Sequence, residues 1–150
     1  MCIKDSYNTE HTYHLVDTEK KTKDLIKSLS KGKSFCFDTE TTGLDANEAE
    51  LVGMSFSIKK GEAYYVPIPA EREEALKILA PYKPLFENEK IAKVAQNAKY
   101  DALILKWYDI ELKGKYIDTM VVHYLLEPEL RHGMDSVSYT HLTLPTICSV

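Results

Sequence analysis

Asp38 and Glu40 stand one residue apart at the end of an apolar run, Ser-Phe-Cys-Phe-Asp-Thr-Glu-Thr-Thr-Gly, residues 34 to 43. On a strand this spacing puts both carboxylates on one face, about 7 Å apart along the chain, close enough to share a divalent cation. Two oxygen acids followed by Thr41, Thr42 and Gly43 in a turn suit a hard ion, Mg2+ or Mn2+. An isolated D-x-E is more often a strand-end Asp capping the next turn beside a solvated Glu, so the pair alone specifies little. A second group of residues is Val-Ala-Gln-Asn-Ala-Lys-Tyr-Asp, residues 94 to 101. Here a strand runs into a helix, and Asn97 and Asp101, four apart, stack on one face of the first turn. Free backbone N–H groups and the helix dipole favour an anion such as a phosphate there, and an acid is also placed to bind a metal. The plain alternative is an Asn N-cap with a first-turn Asp that complements the dipole.

The elements that must position these residues are legible from pattern. Residues 1–14 are polar and aperiodic and read as a tail or linker. Asp17 or Thr18 caps a short helix with an apolar stripe at Leu25, Ile26 and Leu29 and a stop at Gly32. Phe35 to Phe37, Leu51 to Ile58 and Glu62 to Ile68 read as strands of an antiparallel meander, with Lys60-Gly61 as a tight turn. Glu71 to Ala80 is helical, broken by Pro81 and Pro84 before a short continuation through Phe86. Ile91 to Ala95 is a further strand. Asn97 opens a helix whose Leu103, Ile104 and Trp107 are expected in the core, and Met120 to Leu126 form a last helix before Pro128. The order predicts an α/β domain, a mixed sheet flanked by helices.

Composition narrows the function classes. A chain of 150 residues with 44% hydrophobic and 28% charged residues suits one globular domain. The net charge of −4 offers no basic surface of the kind that dominates non-specific duplex binding. Cys2, Cys36 and Cys148 are far apart and lack a C-x-x-C pair, which argues against a zinc site or a disulfide framework. No apolar stretch approaches the roughly 20 residues of a membrane span, and a cytoplasmic, membrane-free protein is expected. His11, His14, His123, His132 and His141 fall at no ligand spacing, and His123, in an apolar helix, reads as a satisfied core histidine. Lys90, Lys93, Lys99 and Lys106 read as a solvated rim.

Taken together, Phe-Asp-Thr-Glu-Thr-Thr-Gly-Leu-Asp and, about 60 residues later, Gln-Asn-Ala-Lys-Tyr-Asp resemble the first two motifs of the DEDD superfamily of 3′-5′ exonucleases. Gly-Glu-Ala-Tyr-Tyr-Val-Pro, Asp-Thr-Met-Val-Val-His-Tyr-Leu-Leu and Arg-His-Gly-Met-Asp narrow the likeness to the proofreading domain of bacterial DNA polymerase I, from about Thr12 to Asp135. The resemblance implies an RNase H-like fold, incomplete at the C-terminus, that removes nucleotides from a single-stranded DNA 3′ end with two Mg2+ (or Mn2+) ions. It implies that Asp38 bridges both ions, that Glu40 and Asp101 complete their shells, and that Leu44 wedges against the terminal base. Thr39, Thr41, Gln96, Asn97 and Tyr100 are the other positions it places at the substrate, Tyr100 offering an aromatic surface. For Leu44 and Tyr100, core packing is the competing expectation.

The domain expected from this likeness is 15–136, set in its family between a 5′ nuclease domain and a polymerase domain, both absent here. A third family motif, a Tyr followed four residues later by an Asp, is expected beyond Asp135; Tyr139 is followed instead by Thr143. Residues 137–150 carry no acid, Lys or Arg, and 137–146 look like a translated sequencing adapter, so this tail is expected to be non-native. Asp118 matches a separate family segment and reads as structural. The chain as it stands is therefore expected to have little or no activity. Three rivals remain. A haloacid-dehalogenase-type phosphatase fits poorly because its pair is D-x-D. An RNase D-like RNA exonuclease shares the first two motifs. The third is a nucleic-acid-binding remnant without catalysis.

Overall fold

A computed structural model describes residues 11–134. Six strands form one sheet: β1 (Thr12–Leu15), β2 (Ser34–Thr41), β3 (Leu51–Lys59), β4 (Glu62–Pro67), β5 (Ala92–Ala95) and β6 (Tyr116–Asp118), in the spatial order β1-β4-β3-β2-β5-β6. β2, β3 and β4 make the expected antiparallel meander, whereas β5 joins β2, β6 joins β5 and β1 joins β4 in parallel. The helices are α1 (Glu19–Lys31), α2 (Arg72–Leu79), α3 (Lys83–Phe86), α4 (Ala98–Trp107) and α5 (Thr119–Leu126), with a 3-10 turn over Ala80–Tyr82.

β2 is the strand that matters most. It runs beyond the expected Phe37, because β3 continues to pair with it through Asp38↔Ser55, Thr39↔Met54 and Glu40↔Gly53, and a bulge then intervenes before Thr41↔Leu51. Phe35, Phe37 and Thr39 are buried, while the alternate residues Cys36, Asp38 and Glu40 are less so, as the period-2 pleat dictates. The core on the buried face is aromatic. Phe86 is enclosed by Phe35, Phe37 and Phe56, with ring centroids 5.8, 5.0 and 6.0 Å away, and Tyr82 stacks on Phe56 at 5.5 Å. Pro81 and Pro84 lie in the first turns of the 3-10 segment and α3, where a missing N–H costs nothing, so they start these turns rather than merely ending α2.

Three expectations are corrected here. The tail reading of residues 1–14 fails at its end, since Thr12–Leu15 pair with Glu62–Tyr65. His14 stacks on Tyr64 at 4.7 Å and meets Glu62 Oε1 at 3.1 Å. Tyr13 and Leu15 alternate with polar residues, but over four residues that pattern is too short to mark a strand. The other part of that reading, residues 1–10, lies outside the described residues, as do 137–150. In α4, Ile104 and Leu105 are buried, but Leu103 and Trp107 are 43% and 52% exposed. The buried stripe of that helix includes Asp101, and a polar residue inside the stripe displaces the apparent apolar face. Lys93 is no rim residue: it is fully buried, and its Nζ donates to the carbonyls of Asn88 at 2.6 Å and Lys113 at 2.7 Å. Burial lowers its pKa below the ordinary lysine value. The second loop approaches so closely that a Cβ on Gly114, at φ +76°, would lie 2.6 Å from Glu89 Cα. Lys90, Lys99 and Lys106 are exposed as expected.

Candidate active site

The parallel pairing of β2 with β5 ends at Cys36↔Val94, and α4 follows β5 after a two-residue turn. Past Cys36, the edge of β2 on that side has lost its strand partner, and α4 takes over. Asp101 Oδ1 accepts two hydrogen bonds from Thr39, from N–H at 3.1 Å and from Oγ1 at 2.5 Å. Thr39 is the residue between the two acids of β2, so the second motif is stitched directly to the first. Asp101 is 2% exposed.

This arrangement concentrates negative charge. Burial first, and then the nearby charges of Asp101 and Glu40, push the Asp38 carboxyl up to about 7. Burial likewise pushes Asp101 up to about 6; the hydrogen bonds from Thr39 oppose the shift and Asp118 adds to it. Carboxylates that resist ionisation beside one another are the donor chemistry that a hard divalent cation stabilises, so the donor set fits Mg2+. The spacing is looser: among the described residues, no three His, Cys, Asp or Glu side chains stand ready to hold one ion. Asp101 turns its Oδ1 onto Thr39.

The N-terminus of α4 departs from expectation. Asn97 occupies the N-cap position in the left-handed region, at φ 58° and ψ 47°, and its side chain caps nothing. Asp118 does this work from β6. Its Oδ1 accepts from Asn97 N and its Oδ2 from Ala98 N, both at 3.0 Å, while Oδ1 also accepts from Met120 N at 2.9 Å as the N-cap of α5. The donors expected to meet a phosphate are thus taken by an internal carboxylate. Asp118→Ala is expected to lower stability by about 1–3 kcal/mol, the cost of leaving helix-terminal donors of two helices without an acceptor. A thermal melt checks it, and a loss no larger than that of Asp45→Ala, an acid whose side chain serves only its own exposed turn, would show that the shared cap does not matter.

Other expected substrate residues fall into two groups. Gln96 and Thr39 are committed internally: Gln96 Nε2 donates to His132 O at 2.9 Å, its Oε1 accepts from Thr119 Oγ1, and Thr39 supports Asp101. His132 in turn meets His123, Nδ1 to Nδ1 at 2.7 Å, and His123 is buried as read from the sequence. Thr41 and Tyr100 have their hydroxyls engaged at the turn that leads to Leu44, Thr41 Oγ1 donating to Gly43 O at 2.9 Å. Leu44 is 98% exposed, which removes the core-packing alternative for it. Tyr100 is partly buried, and its Oη donates to Gly43 O at 2.6 Å and meets Thr41 Oγ1 at 2.6 Å. Sequence reading missed Tyr108, whose Oη accepts from Leu51 N at 3.1 Å, and the indole of Trp107, which donates to Ala46 O at 3.0 Å. The signal available was aromatic residues at i, i+7 and i+8 of one helix, counted from Tyr100.

Comparison with known proteins agrees with this geometry. The sequence matches the family described as 3′-5′ exonuclease over residues 13–147. DNA polymerase I of Pseudomonas aeruginosa is 40% identical over 131 residues, covering 81% of this chain and 14% of that protein. DNA polymerase I of Borreliella burgdorferi is 37% identical over 146 residues, covering 92% and 16%. The chain therefore spans about one seventh of the length of these curated relatives. Among solved structures, Brucella melitensis NrnC with bound Mg2+ superposes with a TM-score of 0.70 at 19% identity, covering 95% of this chain and 66% of that one. Escherichia coli RNase D, an exoribonuclease involved in structured RNA processing, gives 0.66 at 17% identity, covering 89% and 35%. These likenesses show the fold, which is the RNase H-like mixed sheet expected from the sequence. Among the described residues no helix is long and apolar enough to cross a membrane. With two acids on β2, a third bonded between them from α4, and a family match running across both motifs, the chain belongs to the 3′-5′ exonuclease family.

Proposed function

We propose that this domain removes nucleotides from the 3′ end of a single DNA strand, as the proofreading part of a chain of the DNA polymerase I type. The observation that carries the reading is the mutual charge of Asp38, Glu40 and Asp101 around the Thr39 bridge, in a sequence up to 40% identical to DNA polymerase I. Asp38, Glu40 and Asp101 are the residues that would hold Mg2+ or Mn2+, two ions in the complete family site. Bound there, the ions supply Lewis acidity to the attacking water and the leaving 3′ oxygen. Thr39 keeps the Asp101 carboxylate against β2, and Glu40 extends the acidic face. Leu44 meets the terminal base, and Tyr100 offers its ring edge to a neighbouring nucleotide while holding the Leu44 loop. The acidic net charge of −4 fits a domain whose strand is delivered by a neighbouring polymerase domain.

The test is a 3′-labelled mismatched DNA primer given to the polymerase-type chain that carries a Tyr-x-x-x-Asp segment after Asp135. Mg2+-dependent release of the terminal nucleotide is expected, with Asp38→Ala at least about 100-fold slower. Equal rates for the two proteins would remove Asp38 from the chemistry. An RNase D-like specificity is the second reading, favoured by the structural likeness to RNase D. Faster trimming of an RNA primer than of the matching DNA primer would select it.

A further inference from the structure

We propose that Trp107 is a positioning residue: with Tyr108, it holds the loop of residues 42–50 so that Leu44 stands at a set place beside the acids of β2. This rests on the nuclease reading above. The loop leaves β2 after the bulge and returns to β3, and its neck is closed by Thr42 N to Glu50 O and Glu50 N to Thr42 Oγ1, both 2.9 Å. Asp45 organises its tip, accepting from Asn47 N at 2.9 Å and Asn47 Nδ2 at 3.0 Å. Three aromatic side chains of α4 and its C-cap then pin it at its start, middle and end: Tyr100 on Gly43 O, Trp107 on Ala46 O and the capping Tyr108 beneath Leu51 N. The helix end that carries two of these pins is itself fixed from α2, where Arg72 donates to Trp107 O and lies 5.2 Å over the Tyr108 ring.

So much anchoring has an odd product. The loop buries the small Ala46, 7% exposed, and leaves the larger Leu44 98% exposed. A loop serving only to cap the core would do the reverse, because burying a leucine yields more than burying an alanine. A rigid loop that holds an apolar side chain out in water is a contact surface, and a flat nucleobase is the partner that suits it next to a nuclease site. Since α4 also carries Asp101, one helix sets both the third carboxylate and the height of Leu44. Trp107 is the informative position. It is half-exposed, so replacing it leaves no cavity, and it contributes one hydrogen bond to the loop.

The experiment uses the 150-residue chain and a fluorescein-labelled 12-nucleotide oligothymidylate, followed by anisotropy with Ca2+ in place of Mg2+ to leave the strand uncut. Trp107→Phe keeps a ring and loses the N–H donor. It is expected to weaken binding about fivefold to tenfold, because a loop released at Ala46 must be ordered again on binding, with only a small drop in melting temperature from the one hydrogen bond lost. Leu44→Ala should weaken binding by a similar factor, and the double variant should bind no worse than Leu44→Ala alone, because both changes remove the same contact. Binding by Trp107→Phe equal to that of the unsubstituted chain, or losses that multiply in the double variant, would overturn the inference while leaving the nuclease reading intact. Failure of the unsubstituted chain to bind the oligonucleotide would overturn the inference, while the nuclease reading is decided separately by the primer assay on the polymerase-type chain.

Discussion

Asp38→Asn is expected to abolish 3′-end hydrolysis and at the same time to make the protein more stable at pH 8 in a chelator. The two effects share one cause. Burial and the neighbouring charges of Asp101 and Glu40 raise the Asp38 carboxyl from 3.8 to about 7 in the folded state. Between those values the folded protein binds a proton that the unfolded chain has released, so stability falls as pH rises from about 4 to about 7 and the whole penalty is present at pH 8. At 1.36 kcal/mol per unit, and allowing for the partial exposure of the group, the penalty is about 2–4 kcal/mol. Asn is nearly isosteric and uncharged, so it removes the penalty, and with it goes a carboxylate that would hold the metal. Activity should fall about 1000-fold or more in the polymerase-type chain. Melting curves at pH 8 and pH 4 decide the stability half. The gain should appear at pH 8 and vanish at pH 4, where the native Asp38 is already protonated. An equal gain at both pH values would assign it to packing rather than charge, and a lower melting temperature at pH 8 would contradict the electrostatic reading of the site.

Substitution of Asp101 is expected to split by variant. Asp101 also carries a raised pKa, about 6, yet it is the acceptor for both the N–H and the Oγ1 hydroxyl of Thr39. Asp101→Ala leaves two buried donors without a partner, and each such group costs about 1–3 kcal/mol. Asp101→Asn keeps an amide oxygen in the same place and discards only the charge. The Ala variant should therefore be about 2–4 kcal/mol less stable than the Asn variant in urea unfolding at pH 8, although both are inactive. Equal stability of the two would show that the bridge to Thr39 contributes nothing to the fold. Asp38 and Asp101 thus make opposite demands: one acid is tolerated by the structure at a cost, the other is built into it.

The expected site was legible in unequal parts. Asp38 and Glu40 were readable because a strand repeats every two residues, so a local pattern is enough to put them on one face. The meander and the helices were readable for the same reason. Asp118 could be set aside as structural, but nothing local revealed that it accepts from the first residues of two different helices. Asn97 has the residue type of an N-cap and the position of one, yet its left-handed backbone turns the side chain away and a carboxylate 21 residues further on takes its place. Thr39 and Gln96 sit inside the motifs and look like substrate residues, but both have their polar atoms engaged internally. Lys93 resembles its exposed neighbours in every local respect and differs only because β5 lies between β2 and β6 with two loops folded over it.

The sequence by itself determined what depends on near neighbours: the alternation that aligns two acids, the turn that follows them, the helix that starts three residues before a third acid, and the family to which these motifs belong. Tertiary structure alone decided what depends on residues 20 to 62 positions apart: that Asp101 closes on Thr39, that Asp118 takes the helix N-terminus, and that Trp107 and Tyr108 reach the loop bearing Leu44. The physical reason is that a polar group's partner is fixed by which element packs beside it. Periodicity along the chain says which way a side chain points and leaves open what it meets.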